Sequence, residues 1–284
     1  MITILTTTYN RKHTLPRIYE SLLRQTDFDF EWVIVDDGST DDTDRDWMQE
    51  GKIPITYKYK NNGGMHTACN AGAEVAQREL ILKLDSDDCL VEDAIAMVKR
   101  DWETVKNVPM IAGVAYLNAH LKSGGLIGNA FHVNRSIRSL IQMRFHDRVR
   151  GDKTEVIKTE IYRAFPYPEF EGERRTPTSI VHIRISKAGY RFLLVNEIIK
   201  YVEYLPDGLG RNKPFTPNAY RLLFNERTTK EFPMFRRWRA MRRYVKFSKQ
   251  SKKTLALCYS ESYTKWLCLL VLITEPWCWF LTRT

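Results

Sequence analysis

Leu80-Ile81-Leu82-Lys83-Leu84-Asp85-Ser86-Asp87-Asp88 decides how this chain is read. An apolar run of strand length ends in three carboxylates within four residues. Carboxylates this close repel one another, which costs stability unless a cation stands among them. Hard oxygen ligands favour Mg²⁺ or Mn²⁺, and such an ion would bridge the protein to a diphosphate. The plain alternative is an acidic turn that caps the following helix, because Asp and Ser are good N-caps. The position directly after an apolar strand favours the metal.

The same arrangement recurs upstream. Ile2–Thr7, Trp32–Val35, Ile55–Tyr59 and Ile111–Tyr116 read as further strands. Thr14–Gln25, Asp41–Glu50, His66–Gln77 and Val91–Val105 read as helices between them. This alternation predicts an α/β fold with a mostly parallel sheet flanked by helices. Right-handed crossovers place the loops after the strands on one sheet edge, where ligands bind. Thr8-Tyr9-Asn10-Arg11, Asp36-Asp37-Gly38-Ser39-Thr40, Asn61-Asn62-Gly63-Gly64 and Asp85-Ser86-Asp87-Asp88 all follow strands. Four polar clusters therefore converge on one crevice. Asp37 can hydrogen-bond a base or ribose edge, while Ser39 or Thr40 can cap a helix. Gly63 and Gly64 permit close backbone approach to a diphosphate, or form an ordinary loop. His66 either caps the next helix or touches a phosphate.

Composition bounds the rest. The 284 residues carry 43% hydrophobic residues and a formal charge of +10, so the chain can build a core and attract anions. Five cysteines without CxxC spacing indicate neither a disulfide framework nor a zinc site. The start MITILTTTYN lacks the order of a secretion signal, which makes the cytoplasm the expected compartment. GxGxxG and GxxxxGK[ST] are both missing, against dinucleotide and P-loop readings.

TTTYNR at 6–11, VDDGSTDDT at 35–43, NNGGMHTACNAG at 61–72 and LDSDD at 84–88 together resemble family 2 glycosyltransferases of the GT-A, Rossmann-like fold. EFEGERRTP at 169–177 and EYLPDGLG at 203–210 resemble a bacterial branch of that family. The resemblance implies inverting transfer from a nucleoside-diphosphate sugar, most commonly a UDP-sugar, with a divalent metal. It implies that Thr8, Tyr9 and Asp37 hold the nucleoside and that Asp85 lies near the ribose. Asp87 would ligate the metal, with Asp88 beside it. Asn10, Arg11, Asn62, Gly63, Gly64, His66, Asn70 and Ser86 complete the expected donor set. Met65 stands where relatives often carry a lysine.

Inverting transfer needs a carboxylate to take the acceptor proton. In relatives that acid opens the helix whose later turn carries an arginine, here Arg184, and counting back reaches Thr178, which cannot serve. Glu173, with Glu171 beside it in EGER, is the expected replacement, unless both glutamates merely pair with Arg174, Arg175 or solvent. Asp207 reads as a turn residue ahead of a distal metal or acceptor contact. Thr178 also motivates the alternative of a weakly active or inactive nucleotide-sugar-binding protein that scaffolds at a membrane.

The chain divides into a nucleotide-sugar half at 1–120, an acceptor half at 121–217 and a helical extension at 218–284. The extension is basic and aromatic over 236–253, then rich in Trp and Leu over 266–281. Nucleic acid and an anionic membrane leaflet both suit the basic part. The apolar part favours peripheral membrane attachment, being too short and interrupted to span. A buried core or dimer helix is the alternative. The expected setting is the inner face of a bacterial membrane, and the expected acceptor a glycan or lipid-linked glycan in surface polysaccharide synthesis. Oligomeric state is not legible.

Overall fold

The computed structural model describes residues 1–41, 51–205, 216–275 and 277. Asp207 and most of the helix expected over 41–50 lie outside the described residues.

Chain order is β1 (Ile2–Thr8), α1 (Leu15–Leu23), β2 (Phe30–Asp36), β3 (Ile55–Tyr59), α2 (Met65–Val75) and β4 (Leu80–Lys83). Next come β5 (Cys89–Leu90), α3 (Ala94–Val105), β6 (Ile111–His120) and β7 (Ser136–Arg138). A π-helical turn at Gln142–His146 precedes β8 (Lys153–Lys158), α4 (Thr159–Ala164), α5 (Ser179–Lys187) and β9 (Arg191–Val202). The last described elements are α6 (Pro217–Glu226), α7 (Met234–Gln250), α8 (Leu255–Glu261) and α9 (Lys265–Thr274).

The strands form one sheet in the order β3-β2-β1-β4-β8-β6-β9-β5, with β7 on β9. β3, β2, β1 and β4 run parallel, as the strand–helix alternation predicts. β8 then enters antiparallel to both β4 and β6, so the sheet as a whole is mixed. The sequence hides this because Lys153–Lys158 is a short strand with lysines at both ends. Its partners β4 and β6 are distant in sequence and meet it only in the tertiary fold.

Period-two alternation sends each central strand into two cores. Ile2, Ile4, Trp32 and Ile34 join α1 and α3 on one face. Leu5, Val33 and Val35 join α2, α4 and α5 on the other. Burial on both faces explains the β-branched run of β1, in which every residue is buried. α1 presents Leu15, Ile18, Tyr19 and Leu22 to its core at helical spacing. Gly72 lets α2 lie flat on β1, since a Cβ there would stand 2.2 Å from Leu5 Cδ1.

The register aligns the strand ends that matter. Thr8 pairs with Asp36, Asp36 with Tyr59, and Leu5 with Lys83. The loops after β1, β2, β3 and β4 therefore leave the same edge. The helical extension has a core of its own, in which Phe224, Met241, Tyr244, Leu267 and Val271 are buried together.

Candidate functional site

A cleft of about 1990 Å³ opens at that edge. Thr8, Tyr9, Asn10, Arg11, Asp37, Asn62, Gly64, Asp85, Ser86, Asp87 and Asp88 all line it. The volume exceeds the roughly 300–1,000 Å³ of a small-molecule pocket. The opposite wall comes from β8, α5, α6 and α7 through Glu155, Thr178, His182, Arg227 and Arg236.

Asp37 organises the first wall. Its carboxylate accepts from the Gly63 N–H at 3.0 Å, the Gly64 N–H at 2.7 Å and Lys60 Nζ at 2.8 Å. This pins the glycine turn against β2. Gly64 has φ +96°, and a Cβ would meet the Arg174 carbonyl oxygen at 2.0 Å, so only glycine fits. Asn10 links the loops after β1 and β2, receiving the Thr40 N–H at 2.8 Å while its own N–H donates to Ser39 Oγ at 2.8 Å. The Thr8 hydroxyl is buried without a hydrogen-bond partner on this wall.

Lysines neutralise much of the acidic turn. Lys83 pairs with Asp85, and Lys200 reaches Asp88 at 2.6 Å and Asp85 at 3.9 Å. Burial alone would raise the Asp85 pKa, but the two ammoniums overcome it and hold the carboxyl at about 2. Burial and the charge of Asp85 push Asp88 up to about 6 in spite of Lys200. Burial, then Asp85, likewise raises Asp87, and among the described residues no ion pair holds it. Two of the three carboxylates thus have lysine partners, so part of the positive charge expected among them comes from the chain itself. Among the described residues no three His, Cys, Asp or Glu side chains form a ready ion cage. Asp87 fits an ion that takes most of its ligands from a diphosphate, as Mg²⁺ commonly does.

Five expected site residues do not line the cleft. Both Glu173 oxygens are engaged at the start of α6, accepting from the Asn218 N–H at 2.7 Å and the Ala219 N–H at 2.9 Å. A carboxylate satisfying two helix N-terminal donors acts as a cap. Glu171 is exposed and, like Glu173, does not line the cleft. Asn70 holds the 167–169 segment, donating to the Tyr167 carbonyl at 2.9 Å and Glu169 at 2.8 Å. His66 is buried off the cleft, and burial pushes its imidazole below the usual value, so the ring is neutral near pH 7. Gly63 donates its N–H to Asp37, which does line the cleft.

Other groups were not legible beforehand. Lys60, Lys83 and Lys200 pair with the wall carboxylates, and only Lys83 gave a signal, as a lysine inside an apolar strand. His182 and Glu155 face each other on the opposite wall of the cleft, with Nε2 and Oε2 3.9 Å apart.

Comparison with known proteins fits this geometry. Residues 3–119 match the model of Glycosyl transferase family 2. The glycosyltransferase GlyG of Streptococcus pneumoniae is 35% identical over 120 residues, which is 41% of this chain and 39% of GlyG. The chain matches under two-fifths of the length of the first such relatives. The crystal structure of S. aureus TarS residues 1–349 with UDP-GlcNAc superposes with TM-score 0.60 at 16% identity, covering 98% of this chain and 78% of that one. The mannosyltransferase PcManGT of Pyrobaculum calidifontis, solved with GDP-Man and Mn²⁺, gives TM-score 0.54 at 15% identity, covering 97% and 81%. At these identities the likeness is one of fold.

Proposed function

We propose that this chain, which carries a family 2 glycosyltransferase domain of GT-A fold, transfers a sugar from a nucleoside-diphosphate sugar to an acceptor hydroxyl with inversion. The carrying observation is the convergence of Thr8, Asp37, Asn62, Gly64 and Asp85–Asp88 on one cleft wall. A UDP-sugar is the preferred donor, supported by the UDP-GlcNAc complex of a protein with this fold. Asp37 and the glycine turn would cradle the donor, and Asp85 would face its ribose.

Asp87, with Asp88 beside it, would hold Mn²⁺ or Mg²⁺, a reading supported by Mn²⁺ in a neighbour of the same fold. Such an ion supplies Lewis-acid stabilisation of charge on a departing diphosphate. Lys83 and Lys200 would add fixed positive charge to that wall. Since Glu173 is a cap, the proton acceptor is assigned to His182, oriented by Glu155. Thr178 and His182 are one helical turn apart on α5, and helical side chains lean toward the N-terminus. His182 thereby covers the position that Thr178 leaves without a base.

The acceptor is assigned as a glycan or lipid-linked glycan, handled at the inner membrane face during surface polysaccharide synthesis. Among the described residues no helix is long and apolar enough to cross a membrane. α9 buries Leu267, Cys268 and Val271 but exposes Trp266, Leu269, Leu270 and Ile273, next to the basic α7. Apolar side chains beside clustered arginines suit an anionic lipid surface. Trp266→Ser/Ile273→Ser should lower co-sedimentation with vesicles rich in anionic lipid, and unchanged binding would remove the membrane from this reading.

The test of the main reading is a thermal-shift series with nucleoside diphosphates and their sugars, with and without Mn²⁺. A donor at ~100 Kd should stabilise by about 2.7 kcal/mol. Asp87→Asn should abolish the metal-dependent part. Absence of any shift from folded protein would sink the reading. A shift without donor turnover would favour a binding protein instead.

A further inference from the structure

We infer that Arg17 is a positioning residue: by holding the peptide between Asp87 and Asp88 it aims the Asp87 carboxylate at the ion that meets the donor diphosphate. This rests on the glycosyl-transfer and metal reading and deepens it by naming the group that sets the ligand's direction. Arg17 stands in the first turn of α1, where its neighbours Leu15 and Ile18 are fully buried in the core. The base of the side chain is therefore fixed. Its guanidinium forks, with Nη2 donating to the Asp87 carbonyl and Nη1 donating to Glu203 Oε2 at 2.7 Å. Arg17 does not itself line the cleft, whereas Asp87 and Glu203 both do.

The grip matters because of where Asp87 sits. Asp85 to Asp88 form a turn closed by the Asp88 N–H, which donates to the Asp85 carbonyl at 3.0 Å. The peptide between Asp87 and Asp88 thus has both polar groups engaged, its N–H within the turn and its carbonyl by Arg17. A planar peptide held at both ends fixes ψ of Asp87, and with it the direction of Cβ. The other two carboxylates have anchors of their own. Asp85 pairs with Lys83, and Asp88 accepts from Lys200 at 2.6 Å and from the Glu203 N–H at 3.3 Å. Asp87 has no ion pair among the described residues, so its direction depends on the backbone.

The Arg17 Nε is buried with no hydrogen-bond partner. A buried N–H without a partner costs stability, so folding by itself does not account for this geometry. The side chain forgoes that bond and reaches two acceptors at once, which a planar fork allows and an ammonium does not. Charge and positioning predict opposite effects of removing it. A cation beside the turn repels a metal ion, so its loss through charge alone should strengthen metal binding. The same loss would leave the Glu203 carboxylate with the exposed Lys122 beside it at 3.6 Å, adding to the attraction. A positioning role predicts weaker binding, since a ligand deprived of its supporting hydrogen bond must be reordered by the ion.

Calorimetric titration of UDP into the full chain, with and without Mn²⁺, gives the factor by which metal tightens UDP. In Arg17→Gln that factor should fall ~10-fold while the metal-free UDP affinity stays within ~2-fold of wild type. Arg17→Lys keeps the charge and remains measurable should the glutamine variant not fold. A single ammonium cannot span both acceptors, so the factor should fall there as well. A factor that is unchanged or larger in these variants overturns the inference. A metal-free affinity that drops as far as the factor does overturns it too, because the whole donor wall would then be disturbed. If Mn²⁺ leaves UDP affinity unchanged in the wild type, the metal reading fails and takes this inference with it, a result distinct from the other two.

Discussion

Lys200 reaches the carboxylate of Asp88 at 2.6 Å across 112 residues of sequence. The contact follows from pairing of β5 with β9, where Leu90 lies opposite Lys200. Both side chains are almost fully buried. Through this pair β9 fixes the acidic turn at the edge of the cleft.

Removing the cation would leave a buried charge without its partner. Lys200→Met should destabilise the fold by about 3–5 kcal/mol, read from urea denaturation. Combining it with Asp88→Asn should recover part of the loss. An unchanged midpoint for the single variant would show that the pair contributes nothing.

Glu173 separates capping from catalysis. Glu173→Ala should cost about 0.5–2 kcal/mol by exposing the first-turn donors of α6, with kcat changed by no more than ~3-fold. A general base would instead show a loss of at least ~10²-fold. Such a loss with stability unchanged would return Glu173 to the chemistry.

His182 carries the opposite expectation. His182→Gln should lower turnover by ~10²–10⁴ with donor affinity retained, and exogenous imidazole should restore part of it in His182→Ala. Glu155→Gln should reduce turnover less, since it acts by orienting the ring. Turnover in His182→Gln within a factor of ~2 of wild type would leave the base unassigned.

Asp101 supplies a pH dependence remote from the cleft. It is fully buried, accepting from Arg100 Nε at 2.9 Å, Arg135 Nη1 at 2.7 Å and the Tyr116 hydroxyl at 2.9 Å. Burial would raise its pKa, but these partners outweigh burial and hold it below the ordinary value. A carboxyl depressed in the folded state contributes stability that is present above its unfolded value, about 3.9. That contribution disappears as pH falls through the lower folded value. Asp101→Asn should therefore be about 1–3 kcal/mol less stable than wild type at pH 7. The gap should be constant down to pH ~5 and close below pH ~4. A gap that is the same at pH 3 and pH 7 would mean that charge plays no part.

The sequence by itself determined the parallel strands β1 to β4 and the edge at which their loops gather. Each polar cluster there follows its strand directly, so local periodicity and turn chemistry suffice to place Thr8, Asp37, Asn62 and Asp87 on one edge. The family resemblance drew on the same residues, which the match over 3–119 bears out. Only the tertiary structure decided what neutralises the acidic turn, because Lys200 arrives from a strand more than a hundred residues away. It likewise decided that Glu173 caps α6 and that His182 faces Glu155. Both facts depend on how distant segments pack, and neither leaves a periodic trace in the chain. Short-range geometry is written in neighbouring residues, whereas charge compensation is settled by whichever groups the fold brings within a few ångströms.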